Sequence, residues 1–559
     1  IVVALLSASI LAYSQEVTRE IKITNKYLNL PVQIAQDRQE MSLTAKKNEP
    51  RNFVIRLSKE QPDYWVFHDV SAYKGKTLTI TYPEKVKGLE DIYQSDQITG
   101  ADSLYKEKNR PQFHFTSQRG WNNDPNGLVY YDGEYHLYYQ HNPYEADWEN
   151  MHWGHAVSTD LIYWDELGDK LFPDELGTMF SGSAVVDHNN TSGFQTGDEK
   201  VLVAAYTAHK KLSDVDAIQT QCIAYSNDKG RTWTKYEGNP VIDSKAKWNS
   251  THTRDPKVFW HEASDQWVMV LFEKTGQSIY NSDNLKDWAF QSHLLGFWEC
   301  PELFELPIDG DENNKKWVIY GASGTYMIGD FNGKEFKQES GKLQYAAGQL
   351  YAAQTYNNIP EADGRRIQMG WGRIENQGMP FKSLMVFPTV LTLRTTQNGV
   401  RLFSEPIEEV KDLHKKSYNW TNLTLAEANE NLKKVQGDLF HIKMEVEILN
   451  GTQFQFHYNG NPILTYSMNH NLVNGTFYPG DGTSLTKKVE LLVDRTSVEA
   501  FVDDGGLTIV DQLEAAKNDN GLEFFQRRPG KVEPIKVHQL EVHELKSIWN
   551  SGLMADEGE

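Results

Sequence analysis

Apolar residues along this chain alternate with polar ones in short runs, and no stretch repeats them at the spacing of a long amphipathic helix. A period of two marks half-buried strands. Between residues 16 and 83 such runs occur at 21–23, 53–57, 64–67 and 77–82, which predicts a small N-terminal β-module; the polar, charged stretch 84–110 reads as its linker. From Pro111 onward, aromatic and β-branched runs are separated by Asp, Asn and Gly. One example is Gly127-Leu-Val-Tyr-Tyr-Asp-Gly-Glu-Tyr-His-Leu-Tyr-Tyr139, where Asp132-Gly133 predicts a hairpin turn. Three boxes, Ser158-Thr-Asp-Leu-Ile-Tyr-Trp164, Ser226-Asn-Asp-Lys-Gly-Arg-Thr-Trp233 and Ser282-Asp-Asn-Leu-Lys-Asp-Trp288, recur about 60 residues apart, near the period of a propeller blade. Each is expected to be a turn closed by its Asp or Ser side chain and pinned by a Trp, so the boxes speak for architecture. After a charged stretch at 406–417, strands resume at 440–446, 454–456, 489–493 and 498–502, the last running into Asp503-Asp-Gly-Gly506. This predicts a C-terminal β-sandwich.

The ends have their own character. Residues 1–15 form an apolar stretch ending in small residues, too short to span a bilayer and suited to the remainder of a signal peptide, so export to the outside or the periplasm is expected. The acidic, apolar-poor tail at 549–559 is expected to be disordered.

Charge narrows the partners. A net charge of −21, with Lys and Arg dispersed, excludes the basic footprint of a nucleic-acid binder and favours a neutral ligand. No membrane span is expected, and the sequence does not speak to oligomeric state. The two cysteines, Cys222 and Cys300, cannot build a disulfide framework or a zinc site. Nucleotide and metal motifs are absent, so no cofactor is expected. His114, His136, His141, His152 and His155 are dense enough to suggest a metal, but no matching Cys or carboxylate set accompanies them. Structural histidines are the expectation.

Three motifs put a carboxylate beside residues that fix its backbone: Trp121-Asn-Asn-Asp-Pro-Asn-Gly127, Arg254-Asp-Pro256 and Trp298-Glu-Cys-Pro-Glu302. Proline after Asp124 and Asp255 is expected to hold each in extended geometry and so aim its carboxylate. A single Asp-Pro is a common turn. A propeller would bring them together, because the inner strand of every blade lines one central funnel.

With these motifs in this order, the chain from about Phe113 to Val542 resembles glycoside hydrolase family 32, the invertases, inulinases and levanases. Tyr139-Gln-His-Asn-Pro143, Trp153-Gly-His155, Phe180-Ser-Gly-Ser183 and Val493-Asp-Arg-Thr-Ser-Val-Glu499 support the resemblance. It implies an all-β fold: a five-bladed β-propeller at 111–405 and a C-terminal β-sandwich at 415–548, behind the N-terminal β-module and linker at 16–105. It also implies a retaining hydrolase of β-fructans or sucrose, with Asp124 as nucleophile, Glu299 as general acid and base, and Asp255 as transition-state stabiliser. Asn123, Gln140, Trp148, Phe180 and Ser181 are carried over as fructose contacts.

Arg254 is expected to hold Asp255 ionised. Glu299, beside Phe297 and Trp298 and near the charge of Asp124, is expected to have a raised pKa. Two segments depart from the family pattern, Tyr345-Ala-Ala-Gly-Gln-Leu-Tyr-Ala352 with Gln349 in place of an acid, and Pro380-Phe-Lys-Ser-Leu-Met-Val-Phe-Pro388. Both are expected near the funnel rim, where they bear on substrate choice. A fructosyltransferase on the same fold and a non-catalytic fructan-binding propeller are the competing readings.

Overall fold

The computed structural model describes residues 16–550 apart from 46–49, 214–215, 449–452, 468–469, 481–484 and 527–534. The expected leader at 1–15 and residues 551–559 of the expected tail lie outside the described residues. The chain divides into two compact units, Ile1–Leu104 with Asn142–Asn150, and Tyr105–His141 with Met151–Glu559. Among the described residues no helix is long and apolar enough to cross a membrane.

In the first unit, strands Val17–Lys22, Thr77–Tyr82, Gln39–Ala45 and Arg51–Ile55 form one antiparallel sheet, and Tyr64–Asp69, Tyr27–Val32 and Tyr93–Ser95 a second. Alternation buries Leu28, Leu30 and Val32 from one strand and Leu78, Ile80 and Tyr82 from another in a common core. The stretch read as a linker belongs to this unit: Tyr93–Ser95 pairs with Tyr27–Val32, and Lys87–Asp91 is helical. Its polarity reflects an exposed edge strand rather than free chain. Within Asn142–Asn150, the buried Glu145 carboxylate accepts from Arg38 Nε at 2.8 Å and Arg56 Nη1 at 2.9 Å.

The second unit begins with successive antiparallel groups of four strands. Gly120–Tyr131, Glu134–Asn142, His152–Ser158 and Asp165–Leu171 form the first, Thr178–Asp187, Val201–Lys211, Ala217–Ser226 and Thr234–Lys235 the next, and Thr253–His261, Gln266–Glu273, Gly276–Ser282 and Ala289–Leu295 the third. A larger sheet holds Glu302–Ile308 and Leu350–Thr355 with their partners, joined through the single parallel pair Ile308 and Leu393.

Each Ser/Asp/Trp box turns the third strand of its group into the fourth. Ser158 Oγ donates to Asp160 (3.0 Å) and Ser226 Oγ to Asp228 (2.7 Å), whereas in the third box Asn284 takes the part of the acid (3.2 Å). Leu161, Lys229 and Leu285 occupy the left-handed position of these turns (φ 66°, 57° and 63°).

The first strands of the groups are cross-linked around a common axis. Ser183 Oγ donates to Pro256 O (2.9 Å), Gln354 Nε2 to Gly182 O (3.0 Å), and Asn357 Nδ2 to both Ala184 O (2.8 Å) and Val258 O (3.0 Å). Across the axis, Lys257 Nζ pairs with Glu302 Oε1 at 2.9 Å with both side chains buried. This is a β-propeller.

A β-sandwich follows. Its sheets, one containing Phe440–Glu447, Thr486–Val493 and Lys536–Leu545 and the other Gln453–Tyr458 and Leu522–Gln526, enclose Ile442, Met444, Val446, Phe454 and Phe456. The expected disordered tail does not begin at 549, because the Trp549 ring stacks on Tyr105 at 3.9 Å.

Propeller and sandwich are stapled by His114. Its Nδ1 lies 2.8 Å from Asp494 Oδ2 and its Nε2 3.0 Å from Glu499 Oε1. Asp494 also accepts from the backbone of Gln112 (2.8 Å) and Phe113 (3.0 Å), and Glu499 from that of Phe387 (3.0 Å), which accounts for both acids of the late Val-Asp-Arg-Thr-Ser-Val-Glu motif. Burial pushes the imidazole pKa down, but the hydrogen bonds and charges of Asp494 and Glu499 outweigh it and lift the value to about 9. Against roughly 6.5 in an unfolded chain, the stabilisation is complete below that value and lost as pH rises through the folded one. The melting temperature is therefore expected to fall between about pH 6.5 and about pH 9. Thermal scans of His114→Gln should start lower at pH 6 and decline less over that window; an unchanged slope would show that the staple is not charged.

Candidate active site

The starts of the inner strands bring the three motif acids together. Asp124, on Gly120–Tyr131, accepts from Ser181 Oγ at 2.7 Å and Asn123 Nδ2 at 3.1 Å. Trp121 Nε1 holds Asn123 Oδ1 at 2.8 Å, which leaves the Asn123 amide nitrogen facing the acid. Cys300 links two of the carboxylates. Its sulfur lies 3.5 Å from Asp124 Oδ2 and 3.6 Å from Asp255 Oδ2, and its backbone N–H donates to Asp255 Oδ2 at 3.1 Å. Glu299, the preceding residue, accepts from Arg254 Nη2 at 2.5 Å and Tyr351 Oη at 2.7 Å.

The backbone reaches this arrangement by breaking strand regularity. The antiparallel register slips at Phe180/Gly182, at Arg254/Lys257 and at Tyr351/Gln354, each at the acid end of an inner strand. Bulges re-aim side chains that a regular strand would send elsewhere. Gly182 is required at the first: a Cβ there would lie 2.0 Å from Ala205 O.

Asp255 is not extended, contrary to the expectation drawn from its proline. Its φ is 65°, stabilised by donation of its N–H to Thr207 Oγ1 at 2.9 Å. Glu299 and Cys300 are also left-handed (φ 51° and 39°), in a turn whose carbonyls at Trp298 and Glu299 accept from Ala322 N at 3.1 and 3.2 Å. Non-glycine residues in this region cost on the order of 1–3 kcal/mol each, a strain characteristic of functional sites.

The electrostatics correct two further expectations. Dense protein around Glu299 pushes its pKa up, but the charge and hydrogen bond of Arg254, with the Tyr351 hydrogen bond, outweigh this and hold it below the usual carboxylate range. The expected rise neglected Arg254, which hydrogen-bonds Glu299 and reaches Asp255 only through the longer ion pair from Nε to Oδ2 at 3.9 Å. Asp255 is pushed up to about 7 by burial, opposed by Arg254 and reinforced by the charges of Asp124 and Glu299. Asp124 is raised by burial as well, with Ser181 and Asn123 opposing. Asp124 and Asp255 are thus both shifted towards the protonated form, and Glu299 towards the carboxylate.

Ser181, Asn123 and Arg254 thus lie against the acids. Phe180 lies one residue before Ser181 with its ring stacked on His209 at 4.2 Å. Gln140 is buried on Glu134–Asn142, and its Nε2 has no hydrogen-bond partner among the described residues. Trp148 belongs to Asn142–Asn150 in the first unit, 45% exposed.

The histidines are spread among separate partners. His141 contacts Asp169 (2.6 Å) and Arg119 O (3.0 Å), His136 contacts His155 (3.0 Å), and His152 packs edge-on to Phe172. Cys300, Thr207 and Tyr351 are site residues that sequence reasoning had not assigned. Tyr351 lies in one of the two atypical segments; the other pairs with the strand of Asp124 through Phe381 and Gly120.

A polar pit with two carboxylates around one cysteine and a third on an arginine is an arrangement for glycosidic chemistry, and the comparisons with known proteins agree. Residues 114–406 match the model of the glycosyl hydrolases family 32 N-terminal domain, and 409–544 that of the family 32 C-terminal domain. The chain belongs to glycoside hydrolase family 32.

Residues 14–115 of this family 32 enzyme match a domain of unknown function, DUF4980. A levanase of Bacillus subtilis is 42% identical over 80% of this chain and 72% of its own length. An extracellular exo-inulinase of Aspergillus niger is 32% identical over 80% and 96%. Among solved structures, the exo-inulinase of Aspergillus awamori superposes with a TM-score of 0.66 at 29% identity, covering 80% of this chain and all of that one. The β-fructofuranosidase of Schwanniomyces occidentalis does so at 0.65 and 27%, covering 80% and 98%.

The raised pKa of Asp255 makes a stability prediction. Between about pH 4 and about pH 7 the unfolded chain releases this proton while the native state retains it, so stability falls as pH rises through that window. A rise from 3.8 to about 7 corresponds to on the order of 4 kcal/mol at the upper end. Asp255→Asn is expected to raise the melting temperature at pH 7 while changing it little at pH 4. Equal shifts at both pH values would show that Asp255 titrates normally.

Proposed function

We propose that this family 32 enzyme hydrolyses β-fructosidic bonds, in fructans of the levan or inulin type or in sucrose, by double displacement. Asp124 is the nucleophile, Glu299 the general acid and base, and Asp255 the stabiliser of the ring. The observation that carries this reading is the Cys300 bridge: one residue touches the carboxylates of Asp124 and Asp255 and is bonded to Glu299, so the three acids can address one sugar ring. The names of the levanase, exo-inulinase and invertase relatives support the substrate class, and the extracellular description of the exo-inulinases supports export.

Departure of the leaving oxygen from the anomeric carbon of a fructofuranoside builds an oxocarbenium-like centre, which a carboxylate close beneath it traps as a covalent intermediate. Asp124 suits that task, since Ser181 and Asn123 fix both of its oxygens. Glu299 must first carry a proton. In the free site Arg254 keeps it ionised, so hydroxyls of the bound sugar would draw the guanidinium away and raise the Glu299 pKa at the moment of binding. Asp255 would accept hydrogen bonds from ring hydroxyls that tighten as charge develops. Water activated by Glu299 then releases fructose. Gln140, Phe180 and Trp148 are proposed to contact sugar; the unpartnered Gln140 Nε2 supports the first of these.

Asp124→Asn and Glu299→Gln should each lower turnover by about 100-fold or more while binding persists, because each removes a group acting in bond cleavage. Release of fructose from sucrose, inulin and levan is the assay, and near-normal rates in either variant would refute the role given to that residue. Tyr351→Phe removes a hydrogen bond that favours the Glu299 carboxylate. The alkaline limb of its kcat/KM profile should move up by roughly one pH unit, the equivalent of a charge-assisted bond of ~1.5 kcal/mol. A limb that stays in place would separate Tyr351 from the acid.

A further inference from the structure

The propeller has a second opening that the proposed chemistry does not use. The inner strands Thr178–Asp187, Thr253–His261 and Glu302–Ile308, which carry or closely follow site residues at their starts, run on to line a cavity of about 700 Å³ together with the chain after Leu350–Thr355. That size lies within the range of small-ligand sites. The buried Lys257–Glu302 pair separates the two ends of the axis, and Lys257 borders both this cavity and the small pocket beneath Asp255 and Cys300.

The lining is chemically specific. Phe259, Trp260 and Trp317 present half-buried rings; Trp260 packs edge-on to Trp267 at 5.1 Å and Phe259 lies 5.9 Å from Trp317. Arg366 reaches the same space. Its Nη1 donates to Tyr356 O at 3.3 Å, its guanidinium lies 5.2 Å from the centre of the Phe304 ring, and among the described residues no carboxylate forms an ion pair with it, which leaves it a donor on the cavity wall. The exposed Glu262 and Asp265 on the same lining supply acceptors.

Flat aromatic faces with separated donors and acceptors suit a polyhydroxylated ring, whose C–H faces stack while its hydroxyls bond both ways. An anionic ligand fits less well, because Glu262, Asp265 and Glu305 border the cavity and the chain carries a net charge of −21. We propose that this cavity is a second, non-catalytic oligosaccharide site that holds a fructan chain at the propeller mouth remote from the acids. The identity of the sugar rests on the hydrolytic reading above.

Calorimetric titration of the full-length Asp124→Asn protein with levan- and inulin-derived oligosaccharides tests it. Two sites per chain are expected, reduced to one by Trp260→Ala and, independently, by Arg366→Gln. Trp260 contributes packing, so Arg366→Gln decides the matter if the tryptophan variant melts early. In the active background both substitutions should leave kcat/KM for sucrose within twofold and raise KM for the polymer several-fold. A single site in Asp124→Asn, or two sites persisting in folded variants, overturns the proposal. Cleavage by the wild type together with a single site rejects only the cavity; two sites without any cleavage reject only the hydrolytic reading.

Discussion

Three carboxylates confined with one guanidinium repel one another, and the molecule must hold them in place against that repulsion. Asp124, Asp255 and Glu299 share a pit in which Arg254 is bonded to one of them. Fixed donors do the rest: Ser181 and Asn123 on Asp124, the Cys300 amide on Asp255, Tyr351 on Glu299. Such donors need rigid backbone behind them. The register slips and left-handed residues of the inner strands supply it, and their strain is sustained by the surrounding sheets.

The propeller suits this purpose because its inner strands are tied to each other as well as to their own sheets. Asn357 and Gln354 bridge neighbouring strands below the acids, and the Lys257–Glu302 pair closes the axis. A buried ion pair is weak evidence for stability, since its desolvation offsets most of its attraction. Its position suggests a different value: it fills the channel with groups that need specific partners, which fixes the relative height of the strands carrying Asp255 and Glu299.

What could be read in the sequence was what local chemistry determines. The Asp132-Gly133 hairpin turns on two left-handed residues and the Ser/Asp/Trp boxes are closed by their own side chains, so a few adjacent residues were enough to predict them. The helix Leu425–Leu432 went unread although Thr424 and Glu427 spell a capping box, because strands surround it on both sides. The positions of the acids were legible as motifs, but their convergence required the family resemblance. Electrostatics was the least legible layer. Arg254 adjoins Asp255 in sequence, yet with Asp255 left-handed the guanidinium bonds Glu299 across the pit, and neither φ nor that contact is visible in Arg-Asp-Pro. The polar stretch after residue 84 was misread for a related reason: an exposed edge strand such as Tyr93–Ser95 carries no apolar alternation to betray it.

The placement of Arg254 also bears on selectivity. With Glu299 as the proposed acid, a catalyst kept ionised until a ligand arrives cannot protonate indiscriminately, and the group that holds its pKa down is itself a donor suited to sugar hydroxyls. In the proposed reaction, a molecule that fills the pit without engaging Arg254 leaves Glu299 as a carboxylate beside Asp124, two negative charges with no proton for a leaving group. A ligand whose hydroxyls draw the guanidinium off Glu299 removes the main influence lowering its pKa. Binding and protonation then become one event, so part of the discrimination between a fructoside and a poorer ligand would appear in kcat rather than in KM.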